Sequence, residues 1–325
     1  MSENLPFIGQ GEAWQEWLAA IGSERMHHAW LLAGQRGLGK RAFARTAAAE
    51  LVRLPGQSRP DFAAHPDIHV LEALPANEDE AKKKAEGKPW QAKRSISVDQ
   101  VREMIRRLAT KPTLGDRRAI VIDPADELEK SAVNALLKAL EEPPAGTFFL
   151  LVTHQPGRLL PTVRSRCRVL RFAALGEAEL DAVIRRDMPE SDALTRQAAI
   201  RAAQGSPGIA LSFVENDLGG IHDLMLQILR EGDRDYHLRG ALADEMGARP
   251  TRGRQLAALE LARTVVAGEL TLASRAGQIA LIEAHGTLMR LSAQAPTYNF
   301  DAGLLIMEIG GLLASAAMPR EAARP

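Results

Sequence analysis

One seven-residue stretch constrains this chain more than any other. Gly34-Gln35-Arg36-Gly37-Leu38-Gly39-Lys40 fits G-x-x-x-x-G-K, follows the apolar run Ala29–Ala33 (AWLLA) and leads into the helical run Arg41–Arg53. Glycines let a backbone turn its N–H groups inward, so that phosphates can sit at a helix N-terminus with the lysine reaching the outer ones. The pattern alone also occurs as a plain glycine-rich turn; the strand before it and the helix after it make a phosphate loop the better reading. Four more short runs share the character of AWLLA: Ile68–Leu71, Ala119–Ile122, Phe148–Val152 and Val169–Phe172. Runs apolar on both faces suit the central strands of a parallel sheet covered by helices on each side.

Between the runs lie good helices. Ser97 with Gln100 forms a capping-box signature, followed by Val98, Val101, Ile105 and Leu108 on one face. A second helix is expected to carry Leu128, Ala132, Leu136 and Leu140 and to stop at Glu141-Glu142-Pro143-Pro144, because proline disfavours helix in the residue before it. After Phe172 strand signals vanish, and the rest reads as amphipathic helix, interrupted by Gly205-Ser206-Pro207-Gly208 and carrying apolar positions such as Leu229, Val266, Ile282 and Leu288. Boundaries are expected near 173 and 213, giving an α/β domain over 1–172, a small helical domain over 173–212 and an all-α domain over 213–325. A chain of 325 residues with 46% hydrophobic residues is long enough for two or three such cores.

With 41 basic and 41 acidic residues, the chain lacks the broad positive field needed to grip nucleic acid alone. Its one cysteine, Cys167, excludes an internal disulfide framework and fits a reducing compartment. No signal peptide and no apolar span of about 18 residues is visible, so a cytoplasmic protein without membrane contact is expected. The mixed charge run Glu78–Arg94 has no apolar periodicity and is expected to be a solvated, mobile insertion; contact with DNA through Lys82, Lys83 and Lys84 is the less favoured reading.

The phosphate loop is defective. A working loop continues with Ser or Thr, whose hydroxyl holds magnesium; here Arg41 follows Lys40, and a guanidinium has donors but no acceptor. The strand Ala119–Ile122 ends in Asp123-Pro124-Ala125-Asp126. Asp123 could still point at a metal through water, but Pro124 stands where a hydrolysing site needs a carboxylate base. Asp126 is expected to cap the helix carrying Leu128. Nucleotide binding at Gly34, Gly37, Gly39, Lys40, Arg41, Asp123 and Thr153 stays open; efficient hydrolysis is not expected.

The block Ala132-Val133-Asn134-Ala135-Leu136-Leu137-Lys138-Ala139-Leu140-Glu141-Glu142-Pro143-Pro144, followed by Leu159-Leu160-Pro161-Thr162-Val163-Arg164-Ser165-Arg166-Cys167, resembles the clamp-loader branch of the AAA+ family, and within it the non-hydrolysing type of subunit. The resemblance is strong from about residue 5 to 215 and weak beyond. It implies an α/β AAA+ fold: a RecA-like parallel sheet of the P-loop type, then a helical lid and an all-α C-terminal collar that builds a ring. It implies that Arg166 projects into a neighbouring subunit's ATP site as an arginine finger, a part a fixed guanidinium can play by neutralising charge on a transferring phosphoryl group. Arg164 and Arg168 are expected only to solvate the loop, and Cys167 to be a small packed residue. Thr153-His154-Gln155 lies where the family places a γ-phosphate sensor and reads as inherited packing and hydrogen bonding. The Gly205–Gly208 turn lacks the family's second sensor arginine.

The implied partners are the other clamp-loader subunits (gamma/tau and delta types), with the sliding clamp and primed DNA reached through the assembly. No cofactor of its own is required. Many members of the branch carry a four-cysteine zinc module after the phosphate-loop helix; Leu54–Phe62 has no cysteine, and His65 and His69 cannot replace four ligands, so no zinc is expected. The alternatives are an active motor subunit of the gamma/tau type using Lys40 and Asp123, and an interaction module unrelated to replication that kept the scaffold.

Overall fold

The five apolar runs become five strands because each can bury side chains on both faces of a sheet. A computed structural model describes residues 5, 7–88, 90–270, 273–295 and 300–317, and the chain divides into two compact units, Met1–Ala174 and Leu175–Pro325.

The first unit runs α1 (Gly11–Ile21), β1 (Ala29–Ala33), α2 (Lys40–Leu51), β2 (Ile68–Leu71), α3 (Glu78–Ala85), α4 (Val98–Arg107), β3 (Arg118–Ile122), α5 (Lys130–Glu141), β4 (Thr147–Thr153), α6 (Pro161–Arg164) and β5 (Arg168–Arg171). The strands form one sheet in the order β2-β3-β4-β1-β5, every neighbouring pair parallel. Alternate residues serve opposite faces. Trp30, Leu32, Val121, Leu150 and Val152 pack with Trp14, Trp17 and Phe43 from α1 and α2. Leu31, Ile120, Ile122, Phe149 and Leu151 pack with Val101, Met104, Leu136 and Leu140 from α4 and α5. The fold is therefore the parallel α/β sheet expected above, with helices on both faces and a helical unit after it.

The Ser97 signature closes as a full capping box: Gln100 N–H donates to Ser97 Oγ at 3.4 Å and Ser97 N–H donates to Gln100 Oε1 at 3.1 Å. The second helix is shorter than expected. Leu128 lies before α5, bridged to Ile96, and α5 begins at Lys130.

The charge run is a larger correction, because Glu78–Ala85 is a helix. Asn77 Oδ1 accepts the Glu80 N–H at 2.9 Å as its cap. Glu80, mostly buried, accepts from Gln91 N–H at 2.6 Å and pairs with Lys83 at 2.7 Å. Lys84 pairs with Glu72 at 2.6 Å and lies over the Trp90 ring. A Pro75–Ala92 bridge ties the ends of the segment together. Capping and ion pairs order this segment where an apolar stripe is missing.

Leu54–Phe62, the place of the family's zinc module, is held by arginines. Glu50, buried at the end of α2, pairs with Arg53 at 2.6 Å and Arg59 at 3.0 Å. Arg59 also stacks over Trp14, and Arg45 over Phe62. These residues do not fit zinc, since none of the donors is a thiolate or imidazole.

The second unit is helical throughout its described residues: α7 (Glu177–Asp187), α8 (Ala193–Ala203), α9 (Pro207–Glu215), α10 (Gly219–Glu231), α11 (His237–Met246), α12 (Arg252–Glu269), α13 (Arg275–Gln294) and α14 (Ala302–Ser315). Side chains cap α8, α9, α12, α13 and α14 at Asp192, Ser206, Thr251, Ser274 and Asp301. Its core takes Phe213, Ile221, Met225, Leu229, Val266, Leu288 and Ile309. Ile282, read as one of the apolar positions of its helix, is instead 60% exposed. The boundary expected near 213 falls inside α9. No helix among the described residues is long and apolar enough to cross a membrane.

Candidate functional site: a degenerate phosphate loop and an ion-paired arginine

The loop joins β1 to α2 at the carboxyl end of a strand flanked by β4 and β5, the position where open parallel sheets bind ligands. Gly37 and Gly39 have φ of 82° and 81°, the left-handed region glycine adopts without strain. Gly34 sits so close to β5 that a Cβ there would lie 2.8 Å from the Phe172 carbonyl oxygen. Gly39 ends the loop as the N-cap of α2 and offers no side chain to the first turn. The first backbone N–H groups of a helix have no intrahelical acceptor, so this end can receive an anion.

Lys40 is 2% exposed, and its Nζ donates to the carbonyls of Gly34, at 2.7 Å, and Gln35. Burial pushes its ammonium down from 10.5 to about 8, against the pull of Asp126 and Asp123 and with the push of Arg36.

Arg41 does something its sequence position did not announce. Its Nε donates to Asp123 Oδ2 at 2.5 Å, the arginine side chain 56% exposed and the aspartate 7%. The two residues that should hold magnesium in a hydrolysing loop thus hold each other. A guanidinium cannot ligate the metal, so this pair does not fit one.

Asp126 is a further correction. It caps no helix. Thr153 Oγ1 donates to its Oδ1 at 2.6 Å and His154 N–H to its Oδ2 at 2.5 Å, fastening the end of β4 to the turn after β3. His154 Nδ1 is buried and makes no hydrogen bond among the described residues. Burial first, then Lys40, Arg36 and Arg41, lower its ring to about 4 against the pull of Asp126, so it is neutral at physiological pH. Sequence reading also missed Glu127, whose carboxylate feels Arg36, Asp123, Asp126 and Arg41. Its place four residues after the strand-end aspartate was the available signal.

Arg166 belongs to a separate corner, in the turn between α6 and β5. Nη1 donates to Thr162 O at 2.9 Å and Ser165 Oγ at 3.4 Å, and Nη2 pairs with Glu141 Oε1 at 2.5 Å. The C-terminal end of α5 thus steadies the guanidinium, whose side chain stays 34% exposed. No hydrogen bond or ion pair among the described residues joins Arg166 to Lys40, Arg41 or Asp123. Burial pushes the Cys167 thiol up to about 12, which makes it a packing residue. Arg168 does more than solvate the loop: it pairs with Glu16 of α1 at 2.8 Å and lies over Trp30.

A sequence model of the family described as "DNA polymerase III, delta subunit" matches residues 9–176. DNA polymerase III subunit delta' of Pseudomonas aeruginosa is 35% identical over 211 residues, covering 60% of this chain and 58% of that protein. Subunit delta' of Escherichia coli is 32% identical over 307 residues, covering 86% of each chain. DNA polymerase III subunit gamma/tau of Mycobacterium tuberculosis is 30% identical over 221 residues, 66% of this chain and 37% of that one.

Proposed function

The chain belongs to the DNA polymerase III delta-subunit family, and from that premise we propose that it is a delta-prime-type stator of a clamp loader. In this reading it joins gamma/tau-type and delta-type subunits in a ring that opens the sliding clamp and places it on primed DNA. Neighbouring subunits hydrolyse ATP, and this chain completes one of their sites through Arg166.

The single observation that carries the reading is the Arg41–Asp123 ion pair. It replaces the metal-holding half of the site, and Pro124 beside it offers no base to activate water. A gamma/tau-type motor needs both parts, which removes the reason to prefer that alternative. Arg166 supports the positive half: its guanidinium is steadied by Glu141 and Thr162 with the side chain 34% exposed. The neutral net charge agrees with DNA contact made through the assembly. The lid and collar division of the helical unit, the cytoplasmic location and the absence of a required cofactor belong to this same proposal.

The test is ATP turnover of the reconstituted loader, stimulated by clamp and primed DNA, with wild-type chain and with Arg166→Ala, native mass spectrometry confirming both rings. A sharp fall in an intact ring is expected; unchanged turnover in an intact ring removes the finger, and failure to enter any ring removes the stator.

A further inference from the structure

Pro143 and Pro144 stop α5 and leave its last turn short of donors. The Leu140 carbonyl would accept an N–H from residue 144 in an α-helical turn, or from residue 143 in the tighter 3₁₀ turn. Both are proline, which has no N–H. Leu140 is 1% exposed, and a carbonyl left unmet there would cost free energy. The missing donor comes from the other side of the sheet's central strands in sequence, 112 positions away: His28 Nε2 bonds Leu140 O at 2.8 Å. A carbonyl oxygen only accepts, so Nε2 carries a proton and donates it.

His28 is itself anchored. Its carbonyl accepts the Phe149 N–H at 2.7 Å, its ring stacks on His27 with centroids 4.7 Å apart, and Ala29 after it is the buried first residue of β1. The residue after Leu140 is Glu141, whose Oε1 pairs with Arg166 Nη2 at 2.5 Å. A continuous line of contacts therefore runs from the sheet to the guanidinium. The start of β1 and β4 holds His28, His28 holds the end of α5, and Glu141 holds Arg166. Without the imidazole the last turn of α5 has an unmet carbonyl, and fraying of that turn carries Glu141 with it. We infer that His28 is a positioning residue for Arg166: it supplies the N–H that the proline pair lacks and so fixes the helix end from which Glu141 holds the guanidinium. It touches no reacting group and acts only through that line. The inference rests on the reading of Arg166 as a trans-acting finger.

The experiment compares wild type, His28→Gln, His28→Met, Arg166→Ala and the double variant His28→Met with Arg166→Ala. Glutamine and methionine are of similar length, but only glutamine offers an N–H to Leu140 O. Circular dichroism melting of each full-length chain confirms folding, and native mass spectrometry confirms each reconstituted ring before clamp- and DNA-stimulated ATP turnover is measured. His28→Met is expected to lower kcat about tenfold with KM for ATP within about twofold of wild type, the sign of a displaced transition-state contact. His28→Gln should stay within about twofold of wild type. On the Arg166→Ala background His28→Met should change turnover by less than about twofold, because a residue acting through Arg166 has nothing left to act on. Should His28→Met not melt cooperatively, His28→Asn, whose shorter amide does not reach Leu140 O, takes its place in every comparison. Equal turnover of wild type and His28→Met overturns the inference. So does a loss that glutamine fails to restore, a loss that persists in full without Arg166, or a folded His28→Met chain that no longer enters the ring. Those failures leave the finger standing; wild-type turnover in Arg166→Ala would overturn the finger and this inference with it.

Discussion

The phosphate loop and the Arg166 corner are both built around cationic side chains, yet they differ in how deeply those cations are buried. Lys40 is buried on its own loop carbonyls, and Arg41 is fastened to Asp123. Arg166 is held by Glu141 and Thr162 while its side chain stays 34% exposed. Both arginines are ion-paired within the chain; the first pair ties the phosphate loop to the end of β3, and the second ties the turn before β5 to the end of α5.

The largest effect should come from Arg166. Arg166→Lys keeps the charge but loses the planar fork, and turnover at the neighbouring site should fall on the order of a hundredfold in an intact ring. Steady-state ATPase reads this, and a lysine variant with wild-type turnover would reduce Arg166 to a point charge.

The inward site should show itself in stability. Arg41→Ala strips the counter-ion from Asp123, a carboxylate that is 7% exposed, and should cost about 1 kcal/mol in urea unfolding, modest because the arginine itself is largely solvated. An unchanged midpoint would mean that water replaces the pair without loss. Lys40 gives a pH signature of definite sign. Its ammonium drops from 10.5 to about 8 on folding, so between those pH values the unfolded chain binds the extra proton. Stability therefore rises with pH across that window, the burden of a buried charge being complete below about pH 8. Lys40→Met should flatten that rise, read from urea midpoints taken at either end of the window; an identical pH slope in both proteins would place the titration elsewhere.

The smallest effect belongs to the charged insertion. Lys83 and Lys84 are already paired with Glu80 and Glu72, and Lys82 lies 4.0 Å from Asp79. Replacing all three lysines by alanine should change the affinity of the assembled loader for primed DNA by less than about twofold in fluorescence anisotropy, because the segment carries little unbalanced charge. A loss of tenfold or more, on the order of 1.4 kcal/mol, would make the insertion a DNA contact.

The sheet was legible in the sequence because its strands are apolar on both faces: Ala29–Ala33 and Ile68–Leu71 read from the runs are the strands observed. The capping box of Ser97 and Gln100 was legible because both of its hydrogen bonds are local. The helix Glu78–Ala85 was not, since it is fixed by a cap and ion pairs while sequence reading looks for an apolar stripe. Asp126 misled for a related reason. An aspartate ahead of a helix is ordinarily a cap, and only the return of β4 beside β3 brings Thr153 and His154 to it. The candidate site followed the same rule. Arg41 and Pro124 could each be read as defects, but that Arg41 reaches Asp123 across 82 positions is a property of the folded sheet. The Arg41 loss is thus a substituted contact, while the missing base at Pro124 remains a separate one.

The measurement that tests the account most directly is clamp- and DNA-stimulated ATP turnover of reconstituted loaders carrying Arg166→Ala or Arg164→Ala, each ring verified by native mass. Arg164 ends α6 and Arg166 follows two residues later in the turn to β5, so a general disturbance would affect both. The account predicts that Arg166→Ala collapses turnover while Arg164→Ala retains it. Equal turnover in the two intact rings would contradict it.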